Sequence, residues 1–95
     1  MKPFSWSTSK NERLKAERQV SFDEIVVAIE EGGVLDVLAH SNSARYPNQR
    51  ILVVRFAGYV YLVPYVEDAE CYFLKTVIPS RKATRDYLGR GEYDG

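Results

Sequence analysis

Apolar and polar positions follow two different periods along this chain, and the change from one to the other divides it. Between Val20 and Ile29 the apolar residues fall at helical spacing, with Ile25, Val26, Ala28 and Ile29 on one stripe. Ser21 with Glu24 three residues on predicts a capping box, Val20 is placed to staple onto Ile25, and Gly32-Gly33 ends the helix. An earlier, more polar helix is predicted over Ser9 to Arg18, with Ser9 as its cap and Glu12 completing a second box. Leu14 is its only large apolar residue, so that helix is expected to lie flat on the surface.

Beyond Gly33 the pattern turns to strands. Val34 to Leu38 is a short one, followed by a polar loop from Ser41 to Gln49 that carries Asn42, Pro47 and Asn48. Ile51 to Phe56 and Tyr59 to Val66 are rich in β-branched and aromatic residues and meet at Ala57-Gly58, a tight-hairpin signature. Cys71 to Ile78 reads as a third long strand, and Pro64 marks the middle one as irregular or as an edge. Pro79-Ser80 closes the strands, Ser80 caps a last helix over Arg81 to Leu88, and Gly89 stops it. Two helices, an antiparallel meander and a short C-terminal helix make an α+β domain, expected to carry its helices on one face of the sheet.

With 95 residues the chain has room for one domain, 1–95, of which 90–95 is expected to be a frayed tail. The N-terminus lacks the apolar core of a signal peptide, and the longest apolar run, Tyr59 to Val66, is far short of the roughly 20 residues a membrane helix needs. A cytoplasmic protein without membrane contact is expected. Its single cysteine, Cys71, reads as a half-buried small hydrophobe.

Thirteen basic residues balance thirteen acidic ones, so bulk charge does not announce a nucleic-acid binder. The distribution says more. Lys10, Arg13, Lys15 and Arg18 gather early, and Arg81, Lys82, Arg85 and Arg90 late. Metal, nucleotide and triad motifs are missing, and no cofactor is expected. What remains is cations and tyrosines near the sheet. Strand alternation sets Arg55 with Ile51 and Val53, and Lys75 with Cys71 and Phe73. The segment Ser80 to Arg85 joins a helix N-terminus to three cations, an arrangement that a phosphate would relieve. His40 is the only histidine and a candidate acid or base, although a lone histidine entering a polar loop is commonly just solvated. Trp6, Tyr59, Tyr61, Tyr65 and Tyr72 are candidates to stack on bases.

Taken together, Phe4-Ser5-Trp6, Lys10-Asn11, Val20-Ser21-Phe22 with Glu24, Arg50, and Ile78 followed by Ser80-Arg81-Lys82-Ala83-Thr84 and Tyr87 resemble the BrnT family of type II toxins. The resemblance implies a RelE-like domain and a ribonuclease that stops translation. It also implies a cognate antitoxin, a small ribbon-helix-helix protein through which the pair binds its promoter DNA. By the match, Arg50, Arg81 and Lys82 fall in or beside the active surface, with Lys10 nearby. The family's Lys-His-Gly ahead of Val-Ser-Phe is here Glu17-Arg18-Gln19, and its Glu-Arg after the hairpin is replaced by Pro64 to Asp68. The expected chemistry is metal-independent: the RNA 2′-OH attacks its neighbouring phosphate while Arg50 and Arg81 clamp it. Lys10, Lys75, Lys82 and Arg85 bind flanking RNA, and the base is His40, Glu67 or a tyrosine. Two rivals stand beside this: a catalytically degenerate module that binds its antitoxin, and a gyrase poison on a related fold.

Overall fold

The computed structural model describes residues 2–89. Its elements run β1 (Phe4–Ser5), α1 (Thr8–Arg18), α2 (Phe22–Glu30), β2 (Val34–Ala39), β3 (Gln49–Phe56), β4 (Tyr59–Glu67), β5 (Tyr72–Leu74), β6 (Ile78–Pro79) and α3 (Arg81–Leu88). The expected tail, and Arg90 of the late basic cluster, lie outside the described residues.

The α+β class stands, with two corrections to its architecture. The sheet is mixed: β2, β3, β4 and β5 are antiparallel neighbours, but β1 pairs β5 in parallel. A two-residue strand lies below what periodicity can register, so β1 left no pattern in the sequence. The helices also do not share a face. Leu14, Val20, Phe22, Ile25 and Ala28 from α1, α2 and their junction pack with Leu52, Val54, Val63 and Leu74 on the front. Ala83 of α3 packs with Val53 and Val60 on the back. Alternation along β3 made both faces apolar, so both had to be covered.

The caps explain the helices locally. Ser21 and Glu24 form the full capping box that opens α2, and Val20 and Ile25 are both fully buried in the front core. The α1 cap is Ser7, not Ser9: Ser7 has the extended backbone a cap needs and its Oγ accepts from the Lys10 amide. Glu12 instead pairs with Lys15 at 3.4 Å. Helix α1 lies along the surface with one side held down. Leu14 is 2% exposed, and buried Asn11 ties α1 to α2 by accepting from the Phe22 amide at 2.8 Å and donating to Asp23 at 3.1 Å.

The expected third long strand is broken, for a reason that lies in Pro64. The Lys75 amide donates to the Pro64 carbonyl at 2.8 Å. An antiparallel pair at that position would return a bond from residue 64, but proline has no N–H to give. Pairing then moves from Tyr65↔Leu74 to Leu62↔Ile78, so one extra residue is accommodated on the β5–β6 side. That bulge reverses the alternation, which is why Val77 joins Leu74 in the front core while Ile78 is exposed. Arg18 of α1 donates to the Val77 carbonyl at 2.5 Å, satisfying a backbone group the bulge would leave open.

Candidate functional site

The two N-terminal helices leave part of the front face uncovered. The open part is a groove of about 240 Å³ lined by Phe4, Tyr72, Tyr65, Leu52, Val37 and Ile29. Taken in sheet order, the first five come from β1, β5, β4, β3 and β2, so the groove crosses the whole sheet. Four strand spacings make that roughly 19 Å. Ile29 on the last turn of α2 forms the opposite wall.

Strand register sets Arg50 and Glu67 beside residues that line the groove, and Lys2 joins them by side-chain contact. Arg50 stands directly across from Tyr65, and Glu67 directly across from Tyr72, which in turn pairs with Phe4. Residues directly opposite one another share a face, so all five point to the front. Glu67 accepts from Lys2 Nζ at 2.6 Å and lies 3.9 Å from the Arg50 guanidinium. Lys2 also donates to the Asp68 carbonyl at 2.7 Å and sits 5.5 Å over the Tyr72 ring. The hydrogen bond to Glu67 raises the Lys2 pKa above its ordinary value, against the desolvation that opposes it. The Asp68 carboxylate adds a second negative charge near Lys2. That group accepts from the Glu70 and Cys71 amides at 2.8 Å, which closes the β4–β5 turn.

The structure separates the residues singled out from sequence. Arg50 is about half exposed at the groove mouth. Arg81, Lys82 and Arg85 are exposed on α3, on the back. The start of α3 is joined to Val60, which pairs with Arg55; Arg50 is five residues further along β3, about 17 Å at strand rise. Arg50 and Arg81 therefore do not converge on one phosphate, and the two-arginine clamp is not formed. Lys82 and Arg85 both lean on Asp86, at 3.9 Å and 3.5 Å. Lys75 is exposed just past β5, and Lys10 is half-buried in the first turn of α1. Neither lines the groove.

His40 is half-buried at the end of β2, with its ring 4.8 Å from Tyr46 and its Nδ1 accepting from the Asn42 amide at 2.9 Å. It shapes its own loop and lies outside the groove lining. Trp6 stacks on Phe22 at 5.7 Å, and Tyr61 packs between Phe56 and Tyr59. Only Tyr65 and Tyr72 of the five aromatic candidates line the groove. Partial desolvation, with the charges of Asp68 and Glu70, holds the Cys71 thiol above its ordinary range, which disfavours a nucleophilic thiolate. Among the described residues, no three His, Cys, Asp or Glu side chains gather to hold a metal ion.

Lys2 and Phe4 were missed as site residues. Their part depends on β1 adding in parallel to β5, a long-range pairing with no local signal. No family model, curated protein or solved structure matches the chain. No helix among the described residues is long and apolar enough to cross a membrane.

Proposed function

We propose that this chain is the toxin of a bacterial type II toxin–antitoxin pair, a RelE-like domain of the BrnT kind that cleaves RNA without a metal ion. The observation that carries the reading is Glu67, held between Lys2 and Arg50 at the mouth of an aromatic groove. A phosphate entering there draws the two cations toward itself and frees a Glu67 oxygen. Glu67 takes the proton of the 2′-OH, the 2′-oxygen bonds to phosphorus, and the P–O5′ bond breaks, the 5′-oxygen taking a proton from water. The products are a 2′,3′-cyclic phosphate and a 5′-hydroxyl. Arg50 and Lys2 offset the charge that builds on the phosphorane, the kind of contribution commonly worth a few kcal/mol. The partner in this reading is a small ribbon-helix-helix antitoxin, which carries the pair to promoter DNA, and the compartment is the cytoplasm.

The test is incubation of the purified protein with a long RNA in excess EDTA, beside Glu67→Gln and Arg50→Ala. Cleavage that survives EDTA and falls by roughly 10²-fold or more in Glu67→Gln supports the assignment. An unchanged Glu67→Gln rate removes Glu67 as the base.

A second reading, a degenerate toxin that only holds its antitoxin, is favoured by His40. The one imidazole in the chain is turned into its own loop. That reading predicts antitoxin binding with no RNA cleavage, whether or not ribosomes are present.

A further inference from the structure

We infer that the back of the sheet holds a shelf for one amphipathic helix of a partner protein, acidic at the end that meets Lys75 and Arg81. The inference stands apart from the RNA-cleaving reading and concerns the opposite face.

Register defines the shelf. Val53 faces back, under α3, so Ile51 faces back too, with Leu38 and Pro64 directly opposite it. Val66 follows Pro64 by two, and Phe73 stands opposite Val66. Ile78 stands opposite Leu62, itself opposite Val53. Leu38, Phe73 and Ile78 are 37%, 38% and 39% exposed. Helix α3 bounds this apolar surface without covering it. The helix starts at β4, where the Ser80 amide donates to the Val60 carbonyl, and ends over β2, where the Tyr87 hydroxyl donates to Asp36 at 2.7 Å. The bare floor therefore lies beside α3 and runs with it across the strands. Three strand spacings give it a length of roughly 14 Å, and two to four residues of strand a width of about 7–13 Å. A helix is about 10 Å across and rises about 15 Å in ten residues, so one partner helix of two to three turns fills the space.

Charge gives the partner its character and direction. Lys75 follows Phe73 by two on the same face, its amide bonded to Pro64, and Arg81 opens α3. Both are exposed, and neither makes an ion pair among the described residues. They flank Ile78 at one end of the shelf, together with the positive end of the α3 dipole. The acids of this face stand elsewhere. Asp36 is at the β2 end, and Asp86, in the last turn of α3, is shared by Lys82 and Arg85. Glu70, in the β4–β5 turn, is five residues from Lys75, about 17 Å at strand rise. The shelf is thus positive at its β6 end and negative at its β2 end. A helix laid antiparallel to α3, with carboxylates in its last turn, complements both ends. An RNA strand finds cations at one end only and an apolar floor along the rest. A second copy would have to seat the charged outer side of its own α3, with Lys82, Arg85 and Asp86, on that floor at a desolvation cost. A separate helix with apolar residues at i, i+3 or i+4, and i+7 meets neither obstacle.

The test is binding of a fluorescent, lactam-bridged helical peptide of about fourteen residues, with leucines along one stripe and glutamates in its last turn. Wild type is expected to bind it with a Kd below about 100 µM, and to bind a peptide of equal composition with scattered leucines at least about tenfold more weakly. Phe73→Asp and Ile78→Asp, on different strands, should each weaken binding at least about tenfold. Leu38→Ser reads the β2 end should circular dichroism show either of these unfolded. Lys75→Glu combined with Arg81→Glu should weaken this peptide about tenfold and strengthen one whose glutamates are replaced by lysines. Amide chemical shifts should move at Leu38, Ile51, Phe73 and Ile78, and stay in place at Leu52 and Tyr65. No binding, equal binding of the scattered peptide, or wild-type affinity in the folded aspartate variants overturns the inference. So does an unchanged charge preference in the doubly reversed variant. A dimer in sedimentation equilibrium that Ile78→Asp dissolves gives the shelf to a second copy and overturns it as well.

Discussion

Arg50 and Arg81 lie on opposite faces of one sheet, Arg50 across from Tyr65 on the front and Arg81 at the start of α3 on the back. A phosphate bound by one is out of reach of the other. Arg50→Ala is therefore expected to lower RNA cleavage by about tenfold or more, and Arg81→Ala by less than about threefold, the scale of a peripheral phosphate contact. Single-turnover rates at saturating protein separate the two. Equal large losses would mean that both arginines meet the reacting phosphate, and the front-face assignment would fall.

The β3–β4 hairpin closes through Ala57 and Gly58, both with positive φ, +54° and +78°. Two left-handed residues in a two-residue loop make a type I′ turn, in which Asn-Gly is the favoured pair. Alanine in that conformation carries a steric cost of order 1–2 kcal/mol. Ala57→Asn is expected to raise stability by roughly 0.5–1 kcal/mol, read as a higher urea midpoint at unchanged slope. A lower midpoint would show that the turn does not adopt this form in solution.

How far the sequence carried can be judged at particular residues. Ser21 with Glu24, Ser80, and Ala57-Gly58 are local signals, and each produced the cap or turn expected. The front and back faces of β3 were legible in its alternation, but which helix covered which was not, because coverage depends on where the chain returns after β6. The break after Leu74 was written in Pro64, ten residues earlier and on another strand. At the site, Arg50 and Glu67 were both visible as candidates, yet nothing local joined them. Their proximity comes from β3–β4 register, and Lys2 enters only through the parallel β1–β5 pair.

Thr84 is the joint between α3 and the sheet. It is 2% exposed, its Oγ1 accepts from the Val60 amide at 2.9 Å, and it donates to the Ser80 carbonyl at 2.7 Å. Thr84→Val keeps the shape and removes both bonds, leaving the Val60 amide without its partner, at a cost of about 1–3 kcal/mol. Thr84→Ser is expected to recover most of that. Hydrogen exchange at the Val60 amide provides the direct readout. Slow exchange in Thr84→Val would mean that another group takes over the bond, and that this threonine does not fasten the helix.

Asp68 makes the acid limb of stability testable. The Cys71 and Glu70 amides, bonded to its carboxylate, hold its pKa below the ordinary 3.8, against a smaller opposing effect of desolvation. With the folded value the lower of the two, the ionised group favours the folded state. That contribution is present in full above about pH 4 and is lost as pH falls through the folded value. Asp68→Asn keeps an oxygen that accepts from both amides but has no proton to take up. The urea midpoint of wild type should therefore drop more between pH 7 and pH 3 than that of Asp68→Asn. Every other ionisable group is common to the two proteins, so the difference between the two drops isolates Asp68. Asp68→Ala removes the acceptor itself and should be weaker than Asp68→Asn at both pH values. Equal drops in wild type and Asp68→Asn would show that the turn does not distinguish the ionised carboxylate from a neutral acceptor.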